Sequence, residues 1–163
     1  MPNHFHLVAR PHGDGELSRW MHWLMTTHVR RYLRHYKSSG PIWQRRFKAF
    51  PTQQDEHLAT VVRYVERNAL RAELVARAEH WPWSSLHSSA NAPPLDVETL
   101  PRKSDWLEVV NTPMPEAEGE AVRNAIKRDR PFGEESWTVQ TAKQLGLSHS
   151  LNPRGRPKMK DSS

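Results

Sequence analysis

Apolar and polar positions along the chain change period several times, and each period predicts an element. Near the start, Phe5, Leu7 and Ala9 alternate with His4, His6 and Val8, the period-two pattern of a strand over residues 1–9. Pro11 to Gly15 reads as a turn, with Asp14 placed to cap a helix that begins near Gly15 or Glu16 and runs to about Lys37. Leu17, Trp20, Met21 and Leu24 give that helix its apolar spacing, and Ser38-Ser39-Gly40-Pro41 stops it. Residues 42–50 alternate loosely and are rich in aromatics, which predicts a second strand ended by Pro51. A second helix is expected over residues 54–69, with Leu58, Val61, Val62, Val65 and Ala69 on its apolar stripe. A helical turn continues through Leu74 and Val75, and Trp81-Pro82-Trp83-Ser84-Ser85 closes this half. The pattern therefore predicts a domain over 1–87 and a Ser-, Pro- and charge-rich linker over 88–104. A helical appendage over 105–147 follows, with helices near 116–128 and 134–145 separated by Arg130-Pro131-Phe132-Gly133 and stopped at Gly146. Residues 148–163 form a polar, basic tail without apolar periodicity, which predicts disorder.

Charge narrows the class of partner. The chain has 163 residues with 24 Lys and Arg against 18 Asp and Glu, a formal net charge of +6 and ten histidines. Such a balance suits a polyanion, because Lys and Arg contacts to phosphate release condensed counterions. Hydrophobic residues make up 36% of the chain, which fits one modest domain with polar extensions. No apolar run is long enough to span a membrane, and no secretory signal is evident. There are no cysteines, which excludes disulfides, thiolate metal sites and a Cys nucleophile, and fits a reducing cytoplasm.

Three groups of residues can do chemistry. His4 and His6 are two apart on a predicted strand, so both imidazoles share a face and can reach one metal ion. The same pair also reads as two ordinary polar strand residues. Tyr64 and Asn68 are four apart on the second helix and share a shoulder with His57 and Arg71, opposite Glu66. A shoulder suits a side chain held by the fold yet open to substrate; it equally suits a tyrosine at a core boundary with a wet hydroxyl. Arg45, Arg46 and Lys48 interleave with Trp43 and Phe47, and Arg30, Arg31, Arg34, His35 and Lys37 end the first helix. Basic residues interleaved with aromatics suit single-stranded nucleic acid, although a basic solvated face over core aromatics has the same pattern. Arg154 and Arg156 lie in Pro153-Arg-Gly-Arg-Pro157, which resembles a minor-groove arm for A·T-rich DNA.

Taken in order, these segments resemble a known family. His4-Phe5-His6 is similar to the His-hydrophobic-His strand of single-tyrosine HUH transposases, and Gly40-Pro-Ile-Trp-Gln-Arg-Arg-Phe47 to their next motif block. Tyr64-Val-Glu-Arg-Asn68-Ala-Leu-Arg71 resembles their catalytic helix, with Trp83-Ser84-Ser85 following. The closest resemblance is to the REP-associated tyrosine transposases. It extends to Arg130-Pro-Phe-Gly133, Trp137, Leu145-Gly-Leu147 and the Arg154-Gly-Arg-Pro157 tail.

The resemblance implies an α+β fold, a ferredoxin-like antiparallel sheet with helices, carrying the helical appendage and basic tail. It implies Tyr64 as nucleophile, His4, His6 and Asn68 as ligands of Mg2+ or Mn2+, and cutting and rejoining of single-stranded DNA through a 5′-phosphotyrosine. Arg45, Arg46, Lys48, His57, Arg71, Arg154 and Arg156 become candidate DNA contacts. The implied partner is hairpin-forming single-stranded DNA, met as a monomer or a homodimer in the bacterial cytoplasm at the nucleoid. Family members place a strand-helix-strand unit before the His-Phe-His strand, whereas His4 is here the fourth residue. The domain is therefore expected to be N-terminally incomplete, with unpaired strand edges, and to be poorly active or aggregation-prone. Two other readings stay open. One is a non-catalytic DNA-binding protein using the C-terminal helices, where Thr141-Ala-Lys-Gln-Leu-Gly-Leu147 looks like part of a helix-turn-helix. The other is a metal-dependent hydrolase that uses water, with Tyr64 structural.

Overall fold

A computed structural model describes residues 3–44, 46–87, 95–96 and 102–152. Arg45, Arg154 and Arg156 lie outside the described residues, as do much of the expected linker and nearly all of the tail. The chain divides into two units, Pro2–Lys48 and Ala49–Ser163.

The first unit is built on α1, Glu16–Tyr36. Its start is fixed by a different device from the expected Asp14 cap. Gly15 occupies the cap position at φ 75°, a left-handed conformation that glycine adopts without a Cβ penalty. The Glu16 carboxylate folds back to accept from the backbone N–H groups of His12 at 2.9 Å and Gly13 at 3.1 Å. Lys37 turns left-handed at φ 47° and closes the other end by donating its backbone N–H to Leu33. Met21 is the buried residue of α1, while Trp20 and Trp23 stay exposed. The Trp43 ring meets Phe5 edge-on at 5.4 Å and His28 at 4.9 Å.

The ferredoxin-like antiparallel sheet is not found. Among the described residues there is no strand, and residues 3–10 and 46–50 are irregular. Among the described residues the one ladder contact is an isolated parallel bridge between Thr52 and Phe132. The physical reason lies in what alternation specifies. It decides which side chains share a face, but a strand exists only where a second strand takes its N–H and C=O groups. Among the described residues neither alternating segment is paired into a strand, so the α+β expectation gives way to a helical architecture.

The second unit contains α2 (Glu56–Glu66), α3 (Asn68–Arg71), α4 (Trp106–Asn111), α5 (Glu116–Arg128) and α6 (Glu135–Gln144). Asp55 caps α2 by accepting the His57 N–H at 2.8 Å. Burial of the Asp55 carboxylate works against its charge, but the backbone and ring bonds from His57 outweigh it and hold the group below its ordinary pKa. Arg67 breaks the expected single helix into α2 and α3 without leaving helical conformation, at φ −78° and ψ −10°. The core forms where Val61 and Tyr64 of α2 meet Val122 of α5, flanked by Phe50, Val65, Met114, Ile126 and Phe132. Gly146, at φ 68°, ends α6 as predicted, with the Leu147 N–H bonded to the Ala142 carbonyl at 2.7 Å.

Candidate active site

The helix carrying Tyr64 is covered on more than one side. Val61, Val62, Tyr64, Glu66, Asn68 and Ala69 are all buried. Glu66, opposite the Tyr64 shoulder, is the centre of a buried polar knot. Its Oε1 accepts from Ser85 Oγ at 2.6 Å and from Arg102, and its Oε2 accepts from Trp106 Nε1 at 2.8 Å. This gives the Trp83-Ser84-Ser85 motif a physical role, since Ser85 ties that segment to α2. A carboxylate this deep needs several donors to offset its lost hydration, and it has three.

Across the α2–α3 junction, Tyr64, Asn68 and Arg71 come together. Arg71 places its guanidinium carbon 5.3 Å from the Tyr64 ring centroid and donates to Asn68 Oδ1 at 3.0 Å. Asn68 Nδ2 is buried with no hydrogen-bond partner among the described residues. His57, expected on this shoulder, instead packs edge-on against Phe132 at 5.3 Å and bonds Asp55 Oδ1 through Nδ1 at 2.8 Å.

A cleft opens beside Tyr64. Its walls are Tyr64, Arg67 and Arg71 on one side and Pro113, Met114, Pro115, Glu116, Gly119 and Arg123 on the other. Arg67 and Arg123 were not singled out from the sequence. Arg67 is legible there as the residue between Tyr64 and Arg71 on the same helix, whereas Arg123 enters only through tertiary packing.

In the first unit, His4 and His6 lie with ring centroids 5.1 Å apart and planes at 82°. The imidazole is a donor type that Mn2+ accepts and that Mg2+ accepts less readily. His4 Nδ1 also lies 2.8 Å from Asn3 Oδ1, which orients that ring. Asn68 Oδ1 already accepts from Arg71, and one lone pair of the amide oxygen remains. Arg46 and Lys48 are exposed. A further set of ligand atoms, from Asp55, Glu56 and His57, lies within 4.8 Å of one another, but there the Asp55 carboxylate serves as the cap of α2.

Comparison with known proteins is decided by the N-terminal part. Residues 1–68 match the family described as IS200-like transposases. This segment is similar to that family. The matched stretch contains His4, His6, Tyr64 and Asn68, and ends at the last of them. A Haemophilus influenzae protein that carries the provisional name of REP-associated tyrosine transposase is 29% identical over 103 residues. That alignment covers 56% of this chain and 58% of the relative, so the chain spans a little over half of that protein's length. No solved structure matches. Arg123 and α5 lie beyond the IS200-like segment.

Proposed function

We propose that this chain acts on single-stranded DNA as a single-tyrosine transposase, with Tyr64 as the nucleophile. The observation that carries the reading is the local set around Tyr64. A permanent cation, Arg71, is held against both the tyrosine ring and the Asn68 amide, just past a family-like segment that contains all four residues of the expected site.

The chemistry follows from these groups. The Tyr64 oxygen attacks phosphorus in line, its proton passing to solvent. The bond from phosphorus to O3′ breaks, and the departing oxygen takes up a proton to leave as a 3′-hydroxyl. The strand is retained as a 5′-phosphotyrosine, so no bond energy is lost to hydrolysis. Attack by another 3′-hydroxyl reverses the step and rejoins DNA. Arg71, with five fixed donors, can hold non-bridging oxygens during both steps. His4, His6 and Asn68 would hold Mg2+ or Mn2+, which when bound would polarise the phosphate. Arg46 and Lys48, together with Arg45, Arg154 and Arg156, extend the contact to flanking phosphates of a hairpin-forming strand, on a monomer or a homodimer.

The test is a denaturing gel of labelled hairpin-bearing single-stranded DNA incubated with the protein and Mn2+. A slow band in the wild type that is absent from Tyr64→Phe supports the proposal. A second reading has its own observation: α5 and α6 are both formed in the C-terminal part, joined by residues 129–134. Tight DNA binding without any covalent band, unchanged in Tyr64→Phe, favours that reading. Cleavage without a band favours water as the nucleophile.

A further inference from the structure

The cleft beside Tyr64 is lined by three guanidinium groups and one carboxylate, within the second unit. Arg67 and Arg123 stand on facing walls, Arg67 from the α2–α3 junction and Arg123 from α5. We propose that this cleft is a phosphate subsite for the DNA strand that reaches Tyr64, formed by Arg67, Arg71 and Arg123, with Glu116 as the internal group the phosphate must displace. The inference rests on the transposase reading and adds to it a binding residue, Arg123, from outside the IS200-like segment.

Arg67 is fixed by neutral groups. Its Nη1 donates to the carbonyls of Val110 at 2.8 Å and Asn111 at 2.6 Å, the last residues of α4. Carbonyls orient a guanidinium but do not neutralise it. Among the described residues neither Arg67 nor Arg71 has a carboxylate partner. One turn earlier, Arg63 donates to the carbonyls of Thr112 at 3.1 Å and Pro113 at 3.3 Å and is ion-paired with Glu118 at 3.8 Å, a second cation along the same segment with its own carboxylate partner. Burial and the nearby Arg63 charge both push the Arg67 pKa below its ordinary value. A guanidinium keeps its proton regardless, so this pressure is relieved by an anion.

The facing wall supplies room and a counter-ion. Gly119 has no side chain where a Cβ would sit 3.1 Å from Arg123 Nη1, so the Arg123 guanidinium can lie against α5. Arg123 is ion-paired with Glu116, an exposed carboxylate on the first turn of the same helix. Such an exposed pair is weak and readily exchanged. A phosphate oxygen carries the same charge as the carboxylate and can also reach Arg67 and Arg71, which Glu116 does not pair with. A cavity of about 140 Å3 gives space for the group and its waters.

The test uses the full chain. Side-chain Nε–Hε NMR signals of the arginines are followed while inorganic phosphate, and separately a short single-stranded oligodeoxynucleotide, is added. Saturable shifts of Arg67, Arg71 and Arg123 together, with the oligonucleotide displacing phosphate, are expected. Arg123→Gln should weaken phosphate binding about tenfold, the loss of one charge-assisted contact of about 1.4 kcal/mol. Arg123→Lys should fall between, since it keeps the charge but not the fork. Glu116→Gln should tighten binding severalfold, an outcome that a purely structural Glu116–Arg123 pair does not give. Circular dichroism confirms that each variant is folded. No saturable shift, an unchanged affinity in Arg123→Gln, or weaker binding in Glu116→Gln would overturn the proposal. Phosphate that binds as described but is not displaced by the oligonucleotide would overturn its assignment to DNA. The covalent gel distinguishes the two claims. Phosphate binding without any Tyr64 adduct leaves the cleft standing and removes the nucleophile, while an adduct without phosphate binding does the reverse. If both hold, Arg123→Gln raises the DNA concentration needed for half-maximal adduct.

Discussion

Glu66 shows how a residue's neighbours in space can overrule its place on a helical wheel. Helical spacing placed it only opposite the Tyr64 shoulder, yet Ser85, Arg102 and Trp106 close over it and supply the donors its carboxylate needs. Glu66→Ala should therefore lower the unfolding free energy by about 3 kcal/mol, because three donors lose their shared acceptor and Arg102 its buried partner. Glu66→Gln, which keeps one accepting oxygen, should cost less; urea unfolding of both variants measures the difference. Gly133 is constrained more simply. A Cβ there would sit 2.6 Å from the Trp137 ring and 2.7 Å from Gln53 Cβ. Gly133→Ala should destabilise by roughly 2 kcal/mol through forced displacement of those groups, read as a lower thermal midpoint.

Among the elements, those with a period of their own were legible. The apolar spacing gave α1 and α5 nearly to the residue and α6 within one residue at each end, while the expected second helix started two residues before α2 and ended three after it. The helix α4 was not anticipated, since six residues make too few turns to show a period and lie beside a stretch with loop-like composition. The two strands were misread because alternation cannot supply a partner strand. Proximity of Tyr64, Asn68 and Arg71 followed from helical spacing alone, whereas the facing wall with Glu116 and Arg123 depends on how α5 meets α2, which no local pattern encodes. The joint between α4 and the turn at Ala78–His80 carries its own prediction. Asn111 Nδ2 donates to Glu79 Oε2 at 2.9 Å, and Asn111 Oδ1 accepts from the Ala78 N–H at 3.0 Å. The Asn111 bond, helped by Arg77 and opposed by burial, lowers the Glu79 pKa from 4.5 to about 2. A depressed carboxylate stabilises the fold above its unfolded pKa and ceases to do so as pH falls through the folded one. Stability should therefore drop on the order of 2 kcal/mol between pH 4.5 and 2, allowing for screening at this partly wet site. Asn111→Ala should flatten that part of a stability-against-pH curve.

Across the whole molecule, the candidate nucleophile belongs to a core that joins the IS200-like segment to the C-terminal helices, since Val61 and Tyr64 pack with Val122 of α5. The net charge of +6 and the arginines along the cleft fit a phosphate-bearing partner. The helices of the described residues are none of them long and apolar enough to cross a membrane. The central claim is that one particular tyrosine takes the DNA. The chain has three, Tyr32, Tyr36 and Tyr64, and trypsin places each on a different peptide, with Tyr64 in Tyr64-Val-Glu-Arg67. The protein is incubated with single-stranded DNA and Mn2+, the attached strand is trimmed with nuclease, and the tryptic peptides are weighed by mass spectrometry. The account predicts a phosphonucleotide on Tyr64-Val-Glu-Arg67 and on neither of the other two. DNA that is cut while this peptide stays unmodified, or a nucleotide found on Tyr32 or Tyr36, would contradict it.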